Sequence, residues 1–340
     1  MRNRPEEIST EDKDLLVRAA AWDQCPALTD CTSLKLADVA QKQSLEFATA
    51  VLYDRLLRHP EHGAFFQRVR IQDNLRVDEP IRVGIIPGAF YREHQDTGAD
   101  GARIATIVKS LNCPVGVVPV ESFGSLARNA SLIAEWLSQH RHERVIFISL
   151  SKGSADMKVA LALRNATDLF GQVSAWISLS GLPQGTALVA WLRRQPLRRL
   201  GVRLLLRLRN QRYSVVEELR TEGDGPLAVW PSLPSRLRII HVVGFPLRRH
   251  LAHRWAARGY ERIAPLGPND GGGFLLGDVT RLPGAVFPVW GADHYFQPAW
   301  DATPLLRRVL IEAMSPEIGM RQATHSAAQP ISPPANRSSA

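Results

Sequence analysis

From residue 81 to residue 290 the chain alternates short apolar runs with segments of helical length, and that rhythm leaves few architectures open. The runs occupy 81–87, 115–120, 145–150, 173–179, 237–243 and 285–290. Each is apolar at almost every position instead of every second one, as a strand buried on both faces requires. Helical patterns at about 101–111, 126–139 and 156–165 separate the first four runs. Strands of this kind joined by helices predict an α/β architecture, a mainly parallel sheet with helices on both faces. With 340 residues, 45% of them hydrophobic, the chain is long enough to bury roughly 75% of its unfolded surface around such a sheet.

The flanks read differently. Residues 1–30 read as a poorly ordered lead-in. From about 33 to 70, Leu34, Leu36, Val39, Leu45, Ala48, Val51, Leu52, Leu56 and Leu57 recur at helical spacing, broken by Pro60 and Gly63. The expectation is an N-terminal helical extension over 1–80, packed on a main domain at 81–316. Within that domain a helical insertion at about 187–235 interrupts the alternation. Residues 317–340 lose periodicity, become rich in Ala, Ser and Pro, and read as a disordered tail.

Charge and motifs exclude several classes. The net charge is +9, and eight arginines between Arg193 and Arg212, with no acid among them, account for all but one unit. A near-neutral protein with one basic patch, lacking interleaved aromatics, is not expected to bind nucleic acid. No glycine-rich dinucleotide fingerprint, P-loop, HExxH or paired Cys/His spacing occurs, so neither cofactor nor metal is expected. Cys25, Cys31 and Cys113 read as free thiols of a reducing compartment. The charged N-terminus has no signal-peptide apolar stretch, so the chain is expected in the cytoplasm, with peripheral membrane contact at most.

Chemistry concentrates at the ends of the apolar runs. Ser149-Leu150-Ser151-Lys152-Gly153 follows the third run and opens a helix, the shape of a nucleophile elbow with Ser in place of the first Gly of GxSxG. A serine hydroxyl needs a base to take its proton, and the base needs a carboxylate to fix its tautomer. His294 lies just beyond the last run, whereas His241 falls inside a run and reads as structural. Asp270 sits in the Gly/Pro-marked loop 266–273, before the strand that delivers His294. Asp278 is its rival, while Asp293 is a poor orienter because adjacent side chains diverge.

Serine, aspartate and histidine thus follow in the order 151, 270, 294, the order of the α/β-hydrolases. Residues 81 to about 310 resemble that superfamily, and look most like its lipase and esterase members. Ile86-Pro87-Gly88-Ala89-Phe90 resembles the family's HGx oxyanion loop with Pro for His. The stretch 177–186 is similar to a family turn after the strand following the elbow. Asn269-Asp270-Gly271 resembles its acid loop and Ala292-Asp293-His294 its histidine loop. The resemblance implies an α/β-hydrolase fold with a lid at about 187–235, Ser151, Asp270 and His294 as catalytic residues, and the amides of Ala89 and Lys152 as the oxyanion hole. It departs from the family at Ser149 and at Gly272-Gly273, and leaves residues 1–80 uncovered.

The implied activity is cleavage of a carboxylic ester or thioester through an acyl-enzyme. An acyltransferase using the same triad, or a silent hydrolase-fold binding protein, are the alternatives. In the insertion, Leu197, Leu200, Leu204 and Leu208 form one stripe, and Arg199, Arg203 and Arg207 another face at i,i+4 spacing. Like charges so placed repel, which suggests contact with an anionic membrane or a phosphate-bearing acyl substrate. The other reading is compositional habit, since only six of 42 basic residues are Lys.

Overall fold

The computed structural model describes residues 8–71, 81–296 and 301–315. Four helices come first: α1 (Thr10–Ala20), α2 (Ser33–Lys42), α3 (Leu45–Arg58) and α4 (Pro60–Ile71). The alternating region follows as β1 (Ile81–Ile86), α5 (Ala102–Ser110), β2 (Val115–Val117), α6 (Leu126–Ser138), β3 (Arg144–Leu150), α7 (Gly153–Ala160), a short α8 (Ala166–Leu169) and β4 (Val173–Leu179). The insertion holds α9 (Ala187–Arg193), α10 (Pro196–Leu208) and α11 (Ser214–Glu218). β5 (Arg238–Phe245), α12 (Arg254–Ile263), β6 (Ala285–Trp290) and α13 (Thr303–Met314) complete it.

The six strands form one all-parallel sheet in the order β2-β1-β3-β4-β5-β6. The chain runs outward from β1 to β2, then returns to place β3 on the other side of β1. That reversal opens a crevice at the carboxyl ends of β1 and β3, where open α/β sheets bind ligands. One face is covered by α4, α5 and α13, with Phe65, Val108 and Leu310 packed on Ile85, Ile148 and Ile177. On the other face, Ile133 and Leu137 of α6 and Met157 of α7 pack on Phe147 and Trp176. Phe47 and Leu52 of α3 lie against Phe245 and Trp290 at the β5–β6 end.

Two expectations need correction. The predicted helix at 156–165 begins and ends earlier, as α7 at Gly153–Ala160; it can start at Gly153 because the chain there passes so close to the end of β1 that a Cβ would lie 2.6 Å from the Ile86 and Pro87 carbonyls. The stretch 1–30 is not a loose lead-in where it is described: α1 is capped by Ser9, which accepts from the Asp12 amide at 3.1 Å. Its register comes from tertiary contacts. Buried Asp12 accepts from the Trp290 indole at 3.0 Å and from His250 at 3.0 Å, and pairs with Arg249. Buried Arg55 donates to the Cys25 carbonyl at 2.6 Å and to that of Trp22. The tail at 317–340 lies outside the described residues.

Candidate active site

β3 ends at Leu150 and Ser151 turns the chain into α7 with φ of +47°. A non-glycine residue in that region is strained by about 1–3 kcal/mol and persists only when its surroundings dictate it. They do so here: the Ser151 amide donates to the Leu179 carbonyl at 3.3 Å, and its own carbonyl accepts from Leu182 at 3.0 Å and Ser154 at 3.1 Å. The turn lifts the Ser151 hydroxyl above the sheet edge, beside the crevice.

His294 reaches it from the loop after β6. Nε2 lies 2.9 Å from Ser151 Oγ and Nδ1 lies 2.6 Å from Asp270 Oδ2. A backbone bond of 2.8 Å from the His294 amide to the Asp270 carbonyl ties the two loops directly. Asp270 is fully buried, and its other oxygen accepts from the amides of Gly272 at 2.8 Å and Phe274 at 3.1 Å. Burial disfavours a charged His294. The Asp270 carboxylate outweighs it, with help from Asp293, and raises the imidazole above its ordinary pKa. The rival Asp278 is engaged elsewhere, accepting from Ser33 Oγ at 2.9 Å. Asp293 accepts locally from the Tyr295 amide at 3.0 Å. His241 Nε2 donates to the Pro283 carbonyl, 3.1 Å away, and burial pushes its pKa down to about 4.

Ala89 and Lys152 border the same cavity. Among the described residues neither amide donates to another protein group, although those beside them do: Gly88 to Ala99 at 2.8 Å, Phe90 to Ser122 at 2.9 Å, and Ser151 to Leu179. Phe90 is held at φ of +57° and stacks on Phe123 at 4.4 Å between ring centres.

A sheet crevice carrying a serine at a strained strand-to-helix turn, a histidine from the last strand and an acid from the loop before it decides the architecture. The chain has the α/β-hydrolase fold. No family model and no curated protein matches the chain. Solved structures similar to it include a metagenomic carboxyl esterase (17% identity, 69% of this chain and 76% of that one, TM-score 0.47). A Bacillus licheniformis lipase in mature form is similar over 66% of this chain and 89% of that one (18% identity, TM-score 0.45). A Paenibacillus extracellular α/β-hydrolase covers 69% and 99% (10% identity, TM-score 0.38).

In this α/β-hydrolase fold several residues near the site escape sequence reasoning. A Cβ on Gly272 would lie 1.9 Å from His294 Cγ, so the glycine that departs from the family pattern is the one that admits the imidazole. Ser149 accepts from the Trp176 indole at 2.7 Å and shares a hydrogen bond of 2.7 Å with Ser154, which continues to Ser178 at 2.9 Å. Lys152 is buried, with its ammonium on Asp156 at 2.6 Å. Burial pushes the Asp156 carboxyl up to about 6 even beside that cation. The i,i+4 spacing of Lys152 and Asp156 is the one signal the sequence offered here; the Gly272 clearance and the Ser149–Trp176 bond depend on partners in other segments.

The cavity holds about 430 Å³ and is mainly apolar. Leu188, Val189 and Leu192 of α9 and Val216 of α11 line one wall; Phe123, Trp255 and Phe296 line others. The α10 stripe does not reach it. Leu197, Leu200, Leu204 and Leu208 are 59–85% exposed, and only Leu206 of that helix is buried. Arg199 and Arg203 turn toward α11, 5.8 and 4.6 Å from the Tyr213 ring centre, and Arg199 sits 4.0 Å from Glu217.

Proposed function

We propose that the protein is a serine hydrolase that cleaves a carboxylic ester or thioester of an apolar acyl group. The observation that carries this reading is the unbroken chain from Ser151 Oγ through His294 to Asp270, standing at an apolar cavity. His294 Nε2 takes the Ser151 proton as Oγ attacks the acyl carbon, and Asp270 holds Nδ1–H and stabilises the imidazolium that forms. The oxyanion is received by the Ala89 and Lys152 amides. His294 then returns the proton to the leaving alcohol or thiol. Water, deprotonated by the same imidazole, releases the acid from the acyl-enzyme. Transfer to an alcohol would need only another acceptor at that second step.

The volume suits a medium-length acyl chain, since small-molecule pockets start at roughly 300 Å³. A fluorophosphonate probe tests the reading. Wild-type protein is expected to be labelled and to hydrolyse p-nitrophenyl esters, and Ser151→Ala to do neither. An unlabelled, well-folded wild type would instead support a silent binding protein.

The insertion at 187–235 is read as a lid whose outer face meets an anionic membrane. The support is the exposed leucine face of α10 together with its basic neighbours: Arg203 and Arg207 are exposed, and among the described residues Glu217 is the one carboxylate paired with Arg199. An apolar face beside cations has the character of an interfacial helix.

A further inference from the structure

The two amides assigned to the oxyanion come from distant parts of the chain, Ala89 after β1 and Lys152 after β3, and a buried polar chain links them. The Lys152 ammonium holds Asp156 Oδ1 at 2.6 Å, and Asp156 Oδ2 accepts from Asn129 Nδ2 at 3.0 Å. Asn129 grips Glu121 from both sides, accepting from its amide at 3.0 Å and donating to its carbonyl at 3.2 Å. The loop so fixed holds the residues after Ala89. The Ser122 carbonyl accepts from the Phe90 amide at 2.9 Å, and the Val120 carbonyl accepts from Tyr91 Oη at 2.8 Å. Lys152, Asp156 and Asn129 are each 1% exposed.

We propose that Lys152, Asp156 and Asn129 form a positioning strut that fixes the separation of the two oxyanion amides; this rests on the hydrolase reading. Stability is a poor reason for the strut. Buried ion pairs are often replaced by apolar residues of similar volume without loss of stability, so something else must favour this one. Placement is a sufficient reason. Oxyanion donors act only when held close to the transition-state geometry, and misplacement by about 1 Å can lower rates about a hundredfold. The Ala89 side also needs external support. Phe90 keeps its left-handed backbone only while the 120–123 segment holds its amide and Phe123 holds its ring. Asn129 holds that segment, and the Lys152–Asp156 pair holds Asn129.

Three variants test the strut: Asn129→Ala, the double variant Lys152→Met with Asp156→Leu, and Asn129→Asp, which keeps the shape but sets a carboxylate against Asp156. Ester kinetics are read together with the inhibition constant of a trifluoromethyl ketone that mimics the tetrahedral adduct. Loss of the strut is expected to lower kcat roughly ten- to hundredfold at nearly constant KM, with the ketone inhibition constant rising in proportion. The Lys152→Met/Asp156→Leu protein leaves no unpaired charge, so it is expected to fold even if Asn129→Ala does not. If it is folded and has wild-type kcat and ketone affinity, the strut is overturned. A folded wild type without turnover or labelling removes the hydrolase reading and the strut with it, an outcome distinct from the first.

Discussion

Single atoms decide the chemistry at this site. Gly272 is the sharpest case, because the space for its Cβ is already filled by the His294 ring. Gly272→Ala is expected to displace the imidazole and lower kcat about a hundredfold or more, with fluorophosphonate labelling slowed in parallel. Asp270→Asn should leave the fold intact and lower kcat by about 10³–10⁴, since the base loses its tautomer control. The pH profile has a definite sign. On the proposed mechanism His294 acts as base only when neutral, and its pKa is raised above 6.5, so kcat/KM should fall as pH drops through a value above 6.5. In Asp270→Asn that limb should move to lower pH; a limb that stays put would remove Asp270 as the partner. Ser149 makes a further point. Restoring the family's usual residue with Ser149→Gly strands the Trp176 indole in the core, and should destabilise by about 1–3 kcal/mol in urea unfolding.

Among the elements, α10 is inverted relative to an ordinary surface helix. Its stripe of Leu197, Leu200, Leu204 and Leu208 faces solvent while Arg199 and Arg203 lie against Tyr213, so the amphipathic pattern is plain but its orientation is set by α11. Burying a leucine side chain gains about 1.5–3 kcal/mol, so Leu200→Glu with Leu204→Glu should weaken binding to phosphatidylglycerol vesicles by about a hundredfold or more. Binding should also weaken as salt rises, because exposed cations are screened within about 10 Å at 0.1 M. Wild-type binding that ignores salt, or none at all, would remove the membrane reading. The α9 and α11 walls of the cavity are a separate matter, since their apolar residues point inward.

Across the whole molecule, the N-terminal helices are tied to the sheet by buried charge. Asp12 joins α1 to Trp290 at the end of β6 and to Arg249, and these groups hold its carboxyl below the usual range against the opposing effect of burial. Asp12→Ala leaves the buried Trp290 indole N–H without its acceptor, while Arg249 keeps Glu46 at 3.2 Å, and should cost about 1–3 kcal/mol in urea unfolding. His62 and His241 are both pushed down to about 4 by burial. Folded pKa values below the unfolded ones mean that their stability is present above pH 6.5 and lost as pH falls toward 4. Thermal unfolding between pH 7 and 4 should show that decline.

Apolar runs of strand length, spaced by helices, were enough to read a parallel sheet with helices on both faces. The same runs placed Ser151, Asp270 and His294 at loops on one sheet edge, because side chains beyond the carboxyl ends of parallel strands must share an edge. Periodicity could not reveal which way the α10 stripe faces, since an amphipathic helix looks the same whichever side is buried. Nor could it choose Asp270 over Asp278, which lie eight residues apart in one loop region. The fold separates them by giving one carboxylate to His294 and the other to Ser33. The Asp156–Asn129 bond, the clearance at Gly272 and the Ser149–Trp176 bond are likewise contacts between distant segments. Local pattern carries burial and turn chemistry, whereas hydrogen-bond partners and steric clearance exist only once distant segments are packed together.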